Sequence, residues 1–184
     1  MFPKVKGIVA MDSDNHIAYN GMPVGHAYSK EARDLDFRVL KRYLRDIQEN
    51  DVVVIGEKTY SQTSRLLEDN ALIYQVVTSS KQGVHVLGER FYEFQEGDDT
   101  LATVQQMAFS AAMENDSRNI HVLGGVSVYK AFERVYDELV ICRFHGQSEG
   151  THKRLEFSSK LKPFHRVVHI DTPTYSAYTC HVNS

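Results

Sequence analysis

The sequence predicts an α/β fold, a mixed, mostly parallel sheet flanked by helices on both faces with an antiparallel C-terminal edge. Three observations carry this. Four short apolar runs rich in β-branched residues, Val5 to Met11, Asp51 to Ile55, Ile73 to Thr78 and Ile120 to Leu123, read as buried strands. Segments of helical period lie between them at Ser29 to Glu49, Thr59 to Leu67 and Thr100 to Glu114, with another from Val126 to Arg134. The last third changes character: Asp137 to His145, Arg166 to Ile170 and Tyr175 to Val182 are strand-like with no helix between them, which predicts antiparallel pairing. With 184 residues, no internal repeat and no linker rich in Pro, Gly or Ser, one domain over residues 1–184 is expected.

At 42% hydrophobic and 24% charged residues, the composition is that of a folded globule. The 21 Lys and Arg residues are scattered and the net charge is -3, so no broad cationic field is available for nucleic acid or an anionic membrane. Met1-Phe2-Pro3-Lys4 opens without an apolar targeting core, and no window reaches the roughly 18 apolar residues of a membrane span. A cytoplasmic monomer acting on a small molecule is the expectation. Cys142 and Cys180 have no C-x-x-C spacing and the nine His are dispersed, so neither a disulfide scaffold nor a metal site is expected.

Three strand ends carry chemistry suited to a nucleotide. Leu123-Gly124-Gly125-Val126-Ser127-Val128-Tyr129 runs from a strand through two glycines into a helix, where exposed backbone N–H groups can approach a phosphate. Ile55-Gly56-Glu57-Lys58-Thr59 repeats the pattern, with Thr59 as a candidate helix cap and Lys58 placed for negative charge. Val77-Thr78-Ser79-Ser80-Lys81 adds hydroxyls and a lysine at a third strand end. Ligands of open α/β sheets gather at such ends. Taken singly, each also reads as a plain turn or cap.

The helix beginning at Ser29 holds the most discriminating residue. At about 100° per residue, Ala32, Val39, Leu40, Tyr43 and Ile47 all point within about 60° of Asp36, whereas Asp34 points away beside Lys30, Arg38 and Lys41. An acid in an apolar stripe must find donors or take up a proton. Either outcome suits binding a cationic or amidine-like heterocycle; a structural pairing with a buried backbone group or Arg is the plain alternative.

With these features assembled in order, the sequence resembles the dihydrofolate reductase family. The blocks are Ile8-Val9-Ala10-Met11, His16-Ile17-Ala18, Gly21-Met22-Pro23, Val53-Val54-Ile55-Gly56-x-Lys58-Thr59-Tyr60, Val122-Leu123-Gly124-Gly125-x-x-Val128-Tyr129, Asp137-Glu138-Leu139 and the aromatic strand from Tyr175. The resemblance implies an eight-stranded mixed sheet with four principal helices and NADPH-dependent reduction of dihydrofolate to tetrahydrofolate, hydride passing to pterin C6. It implies Asp36 as the catalytic acid gripping the pteridine 2-amino group and N3, with Asp34 as the competing register. Ile8, Val9, Ala10, Leu40 and Cys142 would line the substrate. Ala10, Gly56, Lys58, Thr59, Thr78, Ser79, Gly124, Gly125, Val126, Ser127, Val128 and Tyr129 would hold the cofactor, with Tyr129 at the mouth between the ligands. Ile17, Ala18 and Met22 would belong to a mobile loop over the nicotinamide.

The sequence departs from the family pattern in four respects. Val24 follows Pro23 where tryptophan is usual, and about seven residues, Gly25 to Glu31, are added before the acid. Leu66-Leu67-Glu68-Asp69-Asn70 replaces a Leu-Pro-Gly-Arg turn whose arginine meets the glutamyl tail of folate. Cys142 stands for a threonine and Glu57 for a basic residue near the cofactor 2′-phosphate. Tyr28-Ser29-Lys30-Glu31-Ala32-Arg33 is similar to the homologous reductase of riboflavin synthesis, whose ribosylaminopyrimidine has no such tail. A nucleotide-binding or assembly subunit without turnover is the third reading.

Overall fold

Residues 2–68, 74–79, 83–86, 90–150, 152–157 and 165–182 are described by a computed structural model. In chain order the strands are β1 (Lys4–Asp12), β2 (His16–Tyr19), β3 (Met22–Pro23), β4 (Val52–Gly56), β5 (Tyr74–Ser79), β6 (Gly83–Val86), β7 (Arg90–Glu93), β8 (Asn119–Gly124), β9 (Glu138–Phe144), β10 (His152–Arg154), β11 (His165–Asp171) and β12 (Tyr175–His181). The α-helices are α1 (Lys30–Arg45), α2 (Glu57–Glu68), α3 (Thr100–Glu114) and α4 (Val126–Ala131), and a 3-10 turn spans Val24–Ala27.

Among the described residues, β1-β8-β4-β5-β6-β7 run side by side in that order, β11-β12-β9 form a second run, and β10-β2-β3 form a small separate sheet. Parallel pairing runs through β1-β8-β4-β5, while β5-β6-β7 and β9-β12-β11 pair antiparallel. In place of the eight strands implied by the resemblance, the described residues give six strands in one run and three in the other, and the antiparallel edge expected at the C-terminal strands has a counterpart in β6 and β7. Strands of four residues show too little alternation to be read from sequence. Two compact units divide the chain: Met1–Gly7 with Asp46–Tyr136, and Ile8–Arg45 with Asp137–Ser184.

In the first unit, Val52, Val53, Val54 and Ile55 of β4 are fully buried, as befits a strand covered on both faces. α3 packs on β4, β5 and β8 through Val104, Ala108, Ala111 and Ala112. Asp99 caps that helix by accepting from Leu101 N and Ala102 N, both at 3.1 Å. α4 stops at Ala131 rather than Arg134, and α2 begins at Glu57, so Thr59 sits inside the first turn and is not the cap.

Asp51, at the foot of β4, is a buried charge. It accepts from Gln48 N (3.1 Å), Asn119 N (3.1 Å), Asn119 Nδ2 (3.1 Å) and His121 Nε2 (2.9 Å). Burial alone would raise its pKa, but the hydrogen bonds from His121, Gln48 and Asn119 outweigh burial and hold it below the ordinary value. A carboxylate whose folded pKa is depressed stabilises the fold above its unfolded value of about 4 and loses that contribution as pH falls. Urea unfolding between neutral pH and pH ~3 should show stability falling on the acid side. Asp51→Asn should start about 1 to 3 kcal/mol lower at neutral pH and decline less steeply. Parallel pH profiles of the two proteins would remove Asp51 from this role.

In the second unit, α1 packs on β9 and β12, with Ala32 and Leu44 buried. Ser29 Oγ accepts from Ala32 N at 3.2 Å and starts the helix, which ends at Arg45. Ile47, which belongs to the first unit, is buried although it lies beyond the helix, so the helical wheel is not what places it. The added segment folds back on the sheet: Gly25 is buried, as is Val24 before it, and the Tyr28 ring stacks on Phe144 of β9 at 5.1 Å. Asp12, at the end of β1, accepts from Asp14 N and His16 N (each 2.9 Å) and pairs with His16 Nδ1 (2.9 Å). Among the described residues no helix is long and apolar enough to cross a membrane.

Candidate functional site

Asp36 lies on the α1 face turned to β9 and β12. Its Oδ1 accepts a hydrogen bond from Tyr175 Oη at 2.9 Å, and its carboxylate shares a second one with the thiol of Cys142. Asp34 faces solvent and pairs with Lys30 Nζ at 2.7 Å. Of the two registers open to the sequence, the inward one is Asp36. Burial raises the Asp36 pKa, and the donors Tyr175 and Cys142 pull it back without cancelling the rise. Burial, with the Asp36 charge beside it, drives the Cys142 thiol up, so it stays protonated. Burial likewise raises Tyr175, with Cys142 and Asp36 adding to the rise, so the phenol remains a donor.

Tyr175 was not among the candidates from sequence. β12 pairs with β9 so that Ala177 faces Cys142 and Tyr175 faces Phe144. On a strand of period two, Tyr175 and Ala177 share a face, which brings the phenol diagonally to Cys142 and over Asp36. A strand register was the missing information.

The other substrate candidates divide. Ile8 and Ala10 alternate onto one face of β1, and Val9, fully buried, points to the opposite face. Only the backbone of Val9 can contribute to a floor made by Ile8 and Ala10. Leu40 is half-buried on α1, one turn beyond Asp36. Ile17, Ala18 and Met22 are strand residues rather than loop: Ala18 pairs with Pro23, Tyr19 with Met22, and β10 adds a third strand. His16 stacks on His152 at 4.3 Å, joining β2 to β10. Met22 keeps 44% of its surface exposed.

In the first unit, the two glycine turns meet backbone to backbone. A Cβ on Gly56 would come within 3.2 Å of the Gly124 carbonyl oxygen and 3.6 Å of Gly125 Cα. A Cβ on Gly124 would strike Thr59 Cγ2 at 2.7 Å and Oγ1 at 2.9 Å. Gly125 adopts φ +92, a backbone conformation that favours glycine. Thr78 pairs with Gly56 across β5 and β4, and Ser79 is the last residue of β5. Lys58 and Glu57 are exposed. Val126, Ser127 and Val128 follow the turn as the start of α4, with Val128 buried. Tyr129 is a packed residue whose hydroxyl donates to the Leu123 carbonyl at 3.0 Å, and its own carbonyl accepts from Tyr136 Oη at 3.2 Å. Asp69, Asn70, Ser80 and Lys81 lie outside the described residues.

Comparison with known proteins adds three findings. A dihydrofolate reductase family model matches residues 4–167. No curated protein matches. The fold is similar to the solved structure of dihydrofolate reductase from Enterococcus faecalis complexed with NADP(H) and RAB-propyl, with a TM-score of 0.56, 16% identity, and 98% of this chain and 97% of that one covered. At that identity the solved structure speaks for the fold, while the family match spans most of the sequence: the chain belongs to the dihydrofolate reductase family of oxidoreductases.

Proposed function

We propose that the chain reduces 7,8-dihydrofolate to 5,6,7,8-tetrahydrofolate with NADPH, as a single-domain cytoplasmic monomer. The observation that carries this reading is the partly buried Asp36 carboxylate, turned inward from α1 and met by two neutral donors, Tyr175 and Cys142. Neutral donors orient the anion without cancelling its charge. A flat ring offering an amino group and an adjacent ring N–H matches a carboxylate edge with two parallel charge-assisted bonds. Ile8 and Ala10 supply an apolar floor, and Leu40 a wall, that desolvate the ring and strengthen those bonds.

The glycine turns fit a phosphate-bearing cofactor, because Gly56, Gly124 and Gly125 bring backbone to backbone at the strand ends with no side chain of their own to keep a phosphate from the main-chain N–H groups. NADP(H) in the Enterococcus faecalis enzyme supports the same cofactor class here. When bound, NADPH supplies the hydride. Gly56, Thr59, Gly124 and Gly125 would hold its phosphates, Lys58, Thr78 and Ser79 would add charge and hydroxyls, and Ala10, Ile17, Ala18 and Met22 would exclude water from the nicotinamide.

A second reading is favoured by Asn70, which stands where the family pattern has the arginine for the glutamyl tail. The tail-less ribosylaminopyrimidine of riboflavin synthesis would need no such residue. Turnover of both substrates, followed by the loss of reduced-nicotinamide absorbance in one preparation, decides. Dihydrofolate is expected to be reduced. Reduction of the pyrimidine alone would transfer the assignment to the riboflavin pathway, and cofactor binding without turnover of either would make the chain a nucleotide-binding subunit.

A further inference from the structure

Tyr175 is fully buried, and its position is fixed from several sides. Its N–H donates to Thr172 Oγ1 at 3.0 Å, and its carbonyl accepts from Thr172 N at 2.9 Å and Thr172 Oγ1 at 2.8 Å. The ring stands edge-on to Phe144, with centroids 5.2 Å apart. Phe144 is itself packed by the Tyr28 ring and by Gly25, where a Cβ would lie 2.9 Å from Phe144 Cζ. A phenol hydroxyl has one hydrogen to give, and here it goes to Asp36 Oδ1.

We infer that Tyr175 is the positioning residue for Asp36: its hydroxyl fixes the rotation of the carboxylate, and so the direction in which the acid meets a substrate ring. This role rests on reading Asp36 as the group that grips the substrate. The added segment from Gly25 to Glu31 takes part through the contacts of Gly25 and Tyr28 with Phe144, the neighbour of the Tyr175 ring. The groups acting on Asp36 are Tyr175 from β12 and Cys142 from β9, while Asp34 of α1 turns outward to Lys30.

The test replaces the hydroxyl and keeps the ring. With aspartate carboxyls labelled with carbon-13, Tyr175→Phe should move the Asp36 titration midpoint up by about one pH unit, since a donor to the anion is lost. Where substrate is turned over, KM should rise about tenfold with kcat within a few-fold, and the acid limb of kcat/KM should move with the midpoint. A 3-fluorotyrosine introduced at position 175 alone is a stronger donor and should move the midpoint the other way, which keeps the claim testable if Tyr175→Phe does not fold. An unmoved midpoint in either folded variant overturns the role, whatever happens to the melting temperature. The titration needs no turnover, so its failure is separable from failure of the proposed reduction.

Discussion

Asp36→Asn is expected to lower kcat/KM by 100-fold or more while leaving the melting temperature unchanged or raised. The two halves of this expectation have one cause. Burial drives the Asp36 pKa up, which means that the folded protein holds the charged form at a cost near neutral pH. An amide of the same shape removes that cost and still accepts from the Tyr175 hydroxyl. What the amide cannot do is present an anion with two acceptor oxygens to a pair of N–H donors, and a charge-assisted bidentate contact is worth about 3 kcal/mol, or roughly 100-fold. Asp34→Asn serves as the control, because Asp34 is exposed and its ion pair with Lys30 lies on the helix surface. Activity should stay within about twofold of the parent. Steady-state kinetics with thermal melts on the three proteins checks all of this, and equal losses at the two aspartates would dissolve the distinction between the helix faces.

That distinction is legible in the sequence, because the 3.6-residue period is a local property and α1 obeys it from Lys30 to Arg45. The same holds for α3, whose limits, Thr100–Glu114, coincide with the periodic segment and follow the capping Asp99. Period two, by contrast, tells which residues share a face and not which strand lies alongside. Tyr175 reaches Asp36 only through the β9–β12 register, a contact across 139 positions of chain, and no local pattern contains it. The small sheet escaped for the same reason: His152 of β10 pairs with Tyr19 of β2. Thr59 shows a subtler failure. Hydroxyl before an apolar run is a sound cap signal, but the helix starts two residues earlier at Glu57, and the threonine is used instead to pack against Gly124.

That packing gives the second large effect. Gly124→Ala should destabilise the protein by about 2 kcal/mol and weaken NADPH binding at least tenfold, because the new methyl would sit 2.7 Å from Thr59 Cγ2 and 2.9 Å from its Oγ1. Rotating χ1 relieves this only in part, since each staggered rotamer moves one of the two groups away and leaves the other in place, and Thr59 Cβ itself would remain at 3.2 Å. The first turn of α2 or the Gly124-Gly125 turn must therefore shift, and either movement disturbs the backbone where Gly56 and Gly124 approach one another. Thr59→Ala deletes the two nearest offending atoms, so the double variant should recover the part of the loss due to the clash, a coupling energy of about 1 kcal/mol in a double-mutant cycle, while the φ of +159 at position 124 and the 3.2 Å approach to the Cβ of residue 59 hold back the rest. Binding separates two roles for Thr59. Recovery of cofactor affinity together with stability would make the threonine a spacer, whereas stability restored with affinity still low would mean that its hydroxyl contacts the cofactor. Additive losses would remove the clash as the cause.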